Sequence, residues 1–220
     1  MKPVILITRP NHDIPTGYLH AISGELKDKI EDTGDFSIIE LEVSKVTRIN
    51  SEKALEKSNP RLIVLNGHGS YNKVYGQHEV ILDENNIQKL QSKIVYAVVC
   101  DSSLELGEFA VENGKAEAYI GYEAYFMIII EPSRSTTPLK DNNFKPFREI
   151  YVMLVLSLLS GFNVAESVEK TKMHIKSLIK DYGVLGIRDK FGDAPLIRLG
   201  LFWDLYFLKY HGNPYAKVFT

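Results

Sequence analysis

The stretch Leu62-Ile63-Val64-Leu65-Asn66-Gly67-His68-Gly69-Ser70 is an apolar run that breaks off into a glycine-rich turn carrying one histidine. Continuous aliphatic character suits a strand covered on both faces, as in a buried parallel sheet. The pattern returns in Val95-Tyr96-Ala97-Val98-Val99-Cys100, a strand over 94–99 that ends at the only cysteine of the chain. Upstream, residues 4–8 form a β-branched run stopped by Arg9-Pro10, and 36–41 read as a further strand. Residues 118–121 give a fifth.

Helical signals fall between these strands. Leu19, Ile22, Leu26 and Ile30 recur at spacings of three and four, which predicts a helix over 18–31 with Gly34 as its stop. Shorter helices are expected over 51–57 with Ser51 as N-cap, over 84–90 capped by Asp83, and from Ser102 or Ser103 to about residue 112 before Gly114. Residues 70–82 read as a loop with a small hairpin at 80–82, 125–130 as an apolar run without assigned role, and 133–140 as a Pro/Ser/Thr loop. Helices over 147–160 and 164–180 follow, and from residue 195 onward the chain reads as a last strand and an aromatic-rich segment. Alternating strands and helices imply βαβ units: an α/β, three-layer fold with a mostly parallel central sheet and helices on both faces. One domain over 1–220 is expected, with a helical insertion at about 144–181.

Composition narrows the function classes. The chain has 220 residues, 45% of them hydrophobic and 25% charged, with a formal net charge of −2. That balance gives no electrostatic reason to expect nucleic acid or an anionic membrane as partner. A single cysteine cannot form an internal disulfide or a Cys-based zinc motif, and it suits a reducing compartment, so the cytoplasm is the expected location. No apolar stretch has the length and freedom from charge of a membrane span. HExxH, Gly-x-Ser-x-Gly and the P-loop lysine are all missing, and His12 and His20 lie far from His68 in sequence, so no metal and no cofactor is expected.

In an open parallel sheet, sites form beyond the carboxyl ends of the strands. Neighbouring strands ending at His68 and Cys100 would bring an imidazole to a thiol at one rim. Thiolate is the attacking species, and an imidazole can take the thiol proton and later protonate a leaving amine. A helix starting near Cys100 would add its dipole. The Gly69 and Cys100 backbone N–H groups are candidate oxyanion donors.

These residues resemble the caspase-like cysteine peptidases, the group of caspases, gingipains, clostripain, separases and CHAT domains. The resemblance rests on the strand ending in Gly67-His68-Gly69, the strand ending in Cys100, Ala118-Tyr119-Ile120-Gly121-Tyr122, and Phe191-Gly192-Asp193-Ala194-Pro195-Leu196-Ile197-Arg198-Leu199, the last two nearest the gingipain and CHAT branch. It implies a caspase-like sandwich and a cysteine endopeptidase, a thiol protease with His68 as base or ion-pair partner, Cys100 as nucleophile and a peptide or protein as substrate. It also implies a substrate pocket formed after the first strand and at the ends of the fourth and fifth. His12, Asp13, Asp101, Tyr122 and Glu123 fall there, and its acids would suit a lysine or arginine side chain. A homodimer through the C-terminal strand, around 199–208, follows from the same resemblance. Asp101 departs from the family pattern, since a carboxylate beside a thiol disfavours thiolate. Two alternatives therefore stand: a caspase-like binding or signalling module without turnover, and a Cys–His hydrolase or acyltransferase acting on small amides or esters.

Overall fold

The computed structural model describes residues 2–183 and 193–219. In chain order the strands are β1 (Val4–Arg9), β2 (Ser37–Glu42), β3 (Leu62–Asn66), β4 (Gly69–Ser70), β5 (Lys73–Tyr75), β6 (Val80–Leu82), β7 (Ile94–Val98), β8 (Ala118–Tyr122) and β9 (Leu208–Gly212). The helices are α1 (Ile14–Thr33), α2 (Arg48–Ser58), α3 (Leu106–Glu112), α4 (Lys145–Leu159), α5 (Val164–Asp181) and α6 (Ala194–Phe207). A 6-stranded sheet has the order β2-β1-β3-β7-β8-β9. Its first five members run parallel, and β9 pairs antiparallel with β8 at the edge. This is the α/β three-layer sandwich expected from the strand–helix alternation.

Side-chain alternation along each strand builds the two interlayer cores. Ile5, Ile7, Val64, Tyr96 and Ile120 face one side, where they meet α1, α4, α5 and α6 through residues such as Leu26, Tyr151, Ile175 and Leu201. Leu6, Ile63, Leu65, Val95 and Ala97 face the other and meet α2, α3 and the small sheet through Leu55, Leu106 and Val74. Full burial of one such aliphatic side chain contributes about 1.5–3 kcal/mol, so the layers are held mainly by these faces. No helix among the described residues is long and apolar enough to cross a membrane.

Several local expectations are corrected. Helix α2 begins before Ser51, because the Thr47 side chain accepts from the Asn50 N–H and caps it. Ser51 lies inside that helix and is buried. Residues 70–82 are not a bare loop: β4, β5 and β6 form an antiparallel 3-stranded sheet. Asp83 does not start a helix at residue 84. It is bound by the Arg48 guanidinium, and only a single 3-10 turn, Ile87–Leu90, follows. The 125–130 run has no regular structure and packs on the larger core through Phe126, Ile128, Ile129 and Ile130.

The largest correction concerns the C-terminal segment. Residues 195–199 are helical, and so is the remainder up to Phe207. Ala194, Ile197, Leu201 and Asp204 recur at spacings of three and four and are buried, while Leu196, Leu199, Phe202 and Tyr206 are exposed. Pro195 sits in the first turn, where its missing N–H costs nothing. The strand comes later, at β9. Of the segment expected to mediate dimers, 199–207 is therefore helix, and only Leu208 enters the edge strand. Phe191 and Gly192 of the quoted motif lie outside the described residues.

Candidate active site

Chain direction across the sheet reverses at β1: β2 lies on one side of it and β3 on the other. Such a switch point opens a crevice beyond the strand ends. Asn66 and Thr8 lock its rim. The Asn66 N–H donates to the Thr8 hydroxyl at 2.9 Å, and the Asn66 amide donates to the Thr8 carbonyl at 2.7 Å. The loop after β1 is fixed in turn by Gln77, which accepts from the Asn11 N–H at 2.8 Å and donates to its carbonyl at 3.0 Å.

Strands β3 and β7 pair in parallel, Leu62 opposite Ile94 and Asn66 opposite Val98. His68 and Cys100 each follow their paired residue by two positions, so they leave the sheet at the same level. Both line one cleft of about 260 Å³. Two glycines permit the approach. Gly67 has φ 146°, and a Cβ there would collide with the Tyr75 carbonyl. A Cβ at Gly69 would lie 2.6 Å from the Cys100 carbonyl oxygen and 3.2 Å from its nitrogen. The two backbones expected to supply oxyanion donors are thus in contact.

The His68 ring is held from a direction not foreseen. Its Nε2 donates to Asp13 Oδ2 at 2.6 Å. Asp13 is itself the N-cap of α1, in a capping box with Thr16. Burial alone would raise the Asp13 carboxyl. The Thr16 hydroxyl and N–H, and then His68, outweigh it and bring its pKa down to about 2. An ionised Asp13 fixes the proton on Nε2 and leaves the Nδ1 lone pair as the basic position. Asp13, expected in the substrate pocket, is hydrogen-bonded to the His68 ring.

Cys100 is half-buried, and burial pushes its thiol pKa up. The Asp101 charge pushes the same way, while the Phe126 N–H pulls down. The helix-dipole expectation fails, because α3 starts only at Leu106, beyond a series of turns in which Ser102 and Ser103 are buried. Both leading effects disfavour the thiolate form.

The remaining residues expected in the pocket lie elsewhere. Tyr122 is fully buried, with its hydroxyl 3.5 Å from that of Tyr96. The Glu123 carboxylate faces the Lys209 ammonium at 3.9 Å on the β9 side. Asp101 adopts the left-handed conformation, φ 57°, and does not line the cleft. The cleft walls are instead Pro15, Leu19, Val98, Val99 and the segment Tyr125–Ile128. That segment is suspended from α6. Trp203 Nε1 donates to the Tyr125 carbonyl at 2.9 Å, and the Met127 N–H donates to Asp204 Oδ1 at 2.9 Å.

His12, expected in the pocket region, lies beside the His68 ring. Its ring lies 5.2 Å from that of His68, centroid to centroid. Sequence separation hid this contact, since only the β1–β3 pairing brings the two loops together. Comparison of the chain with protein-family models and with curated proteins finds no match.

Proposed function

We propose that the chain is a cysteine-dependent hydrolase of the caspase-like kind, acting on peptide bonds. The observation that carries this reading is the equal-level exit of His68 and Cys100 from paired parallel strands into one cleft, with Asp13 orienting the imidazole. A base held by a third group is the general arrangement of an activated nucleophile.

His68 Nδ1 takes the Cys100 proton as the sulfur attacks the substrate carbonyl carbon, and the Gly69 and Cys100 N–H groups stabilise the oxyanion. The imidazolium then gives that proton to the leaving amine, and a thioester remains on Cys100. Water, deprotonated by His68, hydrolyses the thioester and restores the thiol. A raised thiol pKa favours this concerted route over a resting thiolate–imidazolium pair. The chemistry requires a reduced thiol, which suits a compartment such as the cytoplasm.

Of the acids expected to bind a basic side chain, Asp13 meets His68, Glu123 meets Lys209, and Asp101 does not line the cleft. Aliphatic and aromatic walls beside Cys100 favour an apolar side chain before the cleaved bond. A fluorogenic peptide library tests this. The expected result is turnover of Leu-, Met- or Phe-ended peptides above Arg- or Asp-ended ones, abolished in Cys100→Ala. No turnover by the parent, or turnover that survives Cys100→Ala, contradicts it.

One observation favours a second reading, a binding module without turnover. Both burial and Asp101 oppose ionisation of the sulfur.

A further inference from the structure

We propose that His12, Asp13 and His68 form a binding site for a divalent zinc ion. A ligand atom from each lies within 4.8 Å of the other two. The three come from two loops that meet only in the folded chain, at the crevice where the sheet order reverses. Two imidazoles and a carboxylate are a donor set suited to Zn²⁺, leaving a further position for water or substrate.

The distances fit with small movement. Tetrahedral zinc with bonds of about 2.0–2.1 Å holds its ligand atoms about 3.3 Å apart. His12 Nε2 to Asp13 Oδ2 is 3.9 Å, and His68 Nε2 to the same oxygen is 2.6 Å. The first must close by roughly as much as the second opens; the ion replaces the proton between His68 and Asp13, and the ring takes the tautomer with its proton on Nδ1. The scaffold is firm enough to favour this. Asp13 is fixed by the α1 cap, the His12 N–H donates to the Thr16 hydroxyl at 3.0 Å, and Gln77 pins Asn11. Cys100 is not among the ligands.

One consequence rests on the hydrolase reading. An imidazole that gives its Nε2 lone pair to zinc carries its ring proton on Nδ1, so the zinc form has no lone pair there to take the Cys100 proton. Zinc would then act as a reversible inhibitor.

The binding test needs no substrate. Zn²⁺ is titrated calorimetrically into the parent, Cys100→Ala, His12→Ala and His12→Asn, with folding checked by circular dichroism, and Co²⁺ spectra are recorded on the parent. Expected are one ion per chain, unchanged affinity in Cys100→Ala, at least about tenfold weaker binding in both His12 variants, and cobalt bands without thiolate charge transfer. Absence of stoichiometric zinc binding, unchanged affinity in folded His12 variants, or a thiolate band lost in Cys100→Ala overturns the site. Zinc binding with no peptide turnover would leave this site standing while the hydrolase reading fails.

Discussion

Asp101 follows Cys100 in a left-handed backbone conformation, φ 57°, which asparagine also tolerates. Its charge is the second cause, after burial, of the raised Cys100 pKa. Alkylation by iodoacetamide as a function of pH reads that value directly. The midpoint should lie above the ordinary thiol value of about 8.5 and fall in Asp101→Asn. An unmoved midpoint would remove the carboxylate from the explanation. Asp13 acts on the other partner. Asp13→Asn should lower kcat about 100-fold or more with KM nearly unchanged, since it loosens the tautomer of His68 and touches no substrate. A loss confined to KM would return Asp13 to substrate binding. His68 and Cys100 were legible from sequence because each ends an apolar strand. The approach of Asp13 and His12 to His68 was not, because it depends on a contact between the β1 and β3 loops that no local pattern encodes.

At the scale of elements, α6 and the Tyr125–Ile128 segment form a unit. Asp204 is fully buried; one carboxylate oxygen accepts from Met127 and the other has no hydrogen-bond partner. Burial holds its pKa well above the ordinary carboxylate value, with the Met127 N–H offsetting only part. The folded state thus binds this proton more tightly than the unfolded one. The associated stability is full below the unfolded pKa of about 4 and declines as pH rises toward the folded value. Asp204→Asn retains an acceptor for Met127 and removes the titration. Its Tm gain over the parent should therefore grow as pH rises above the unfolded pKa of about 4. A gain independent of pH would contradict the raised carboxyl. This unit was hard to read from sequence. Pro195 and a dense apolar run suggested a strand, whereas the buried positions follow a helical period that the exposed Leu196, Leu199 and Phe202 disguise. Helix α5 was legible because its polar and apolar faces separate, whereas α4 is apolar and buried over most of its length.

For the whole molecule, parallel strands in the order β2-β1-β3-β7-β8 place every chemically distinctive side chain of the rim at one end of the sheet. Strand–helix alternation sufficed to read this layered architecture, since two-sided burial imposes continuous apolar strands. What alternation could not specify was the occupant of the specificity pocket. Its walls come from the start of α1, the ends of two strands and an irregular segment, and of the acids that looked available Asp13 meets an imidazole, Glu123 a lysine, and Asp101 does not line the cleft. The central claim is that His68 activates Cys100 in the apolar cleft. The most direct measurement is the labelling rate of Cys100 by a peptidyl acyloxymethyl ketone with an apolar terminal residue, followed by intact mass in the parent and in His68→Ala. The expected result is one label on Cys100, acquired at least about 100-fold faster in the parent. Equal rates in the two proteins would contradict it.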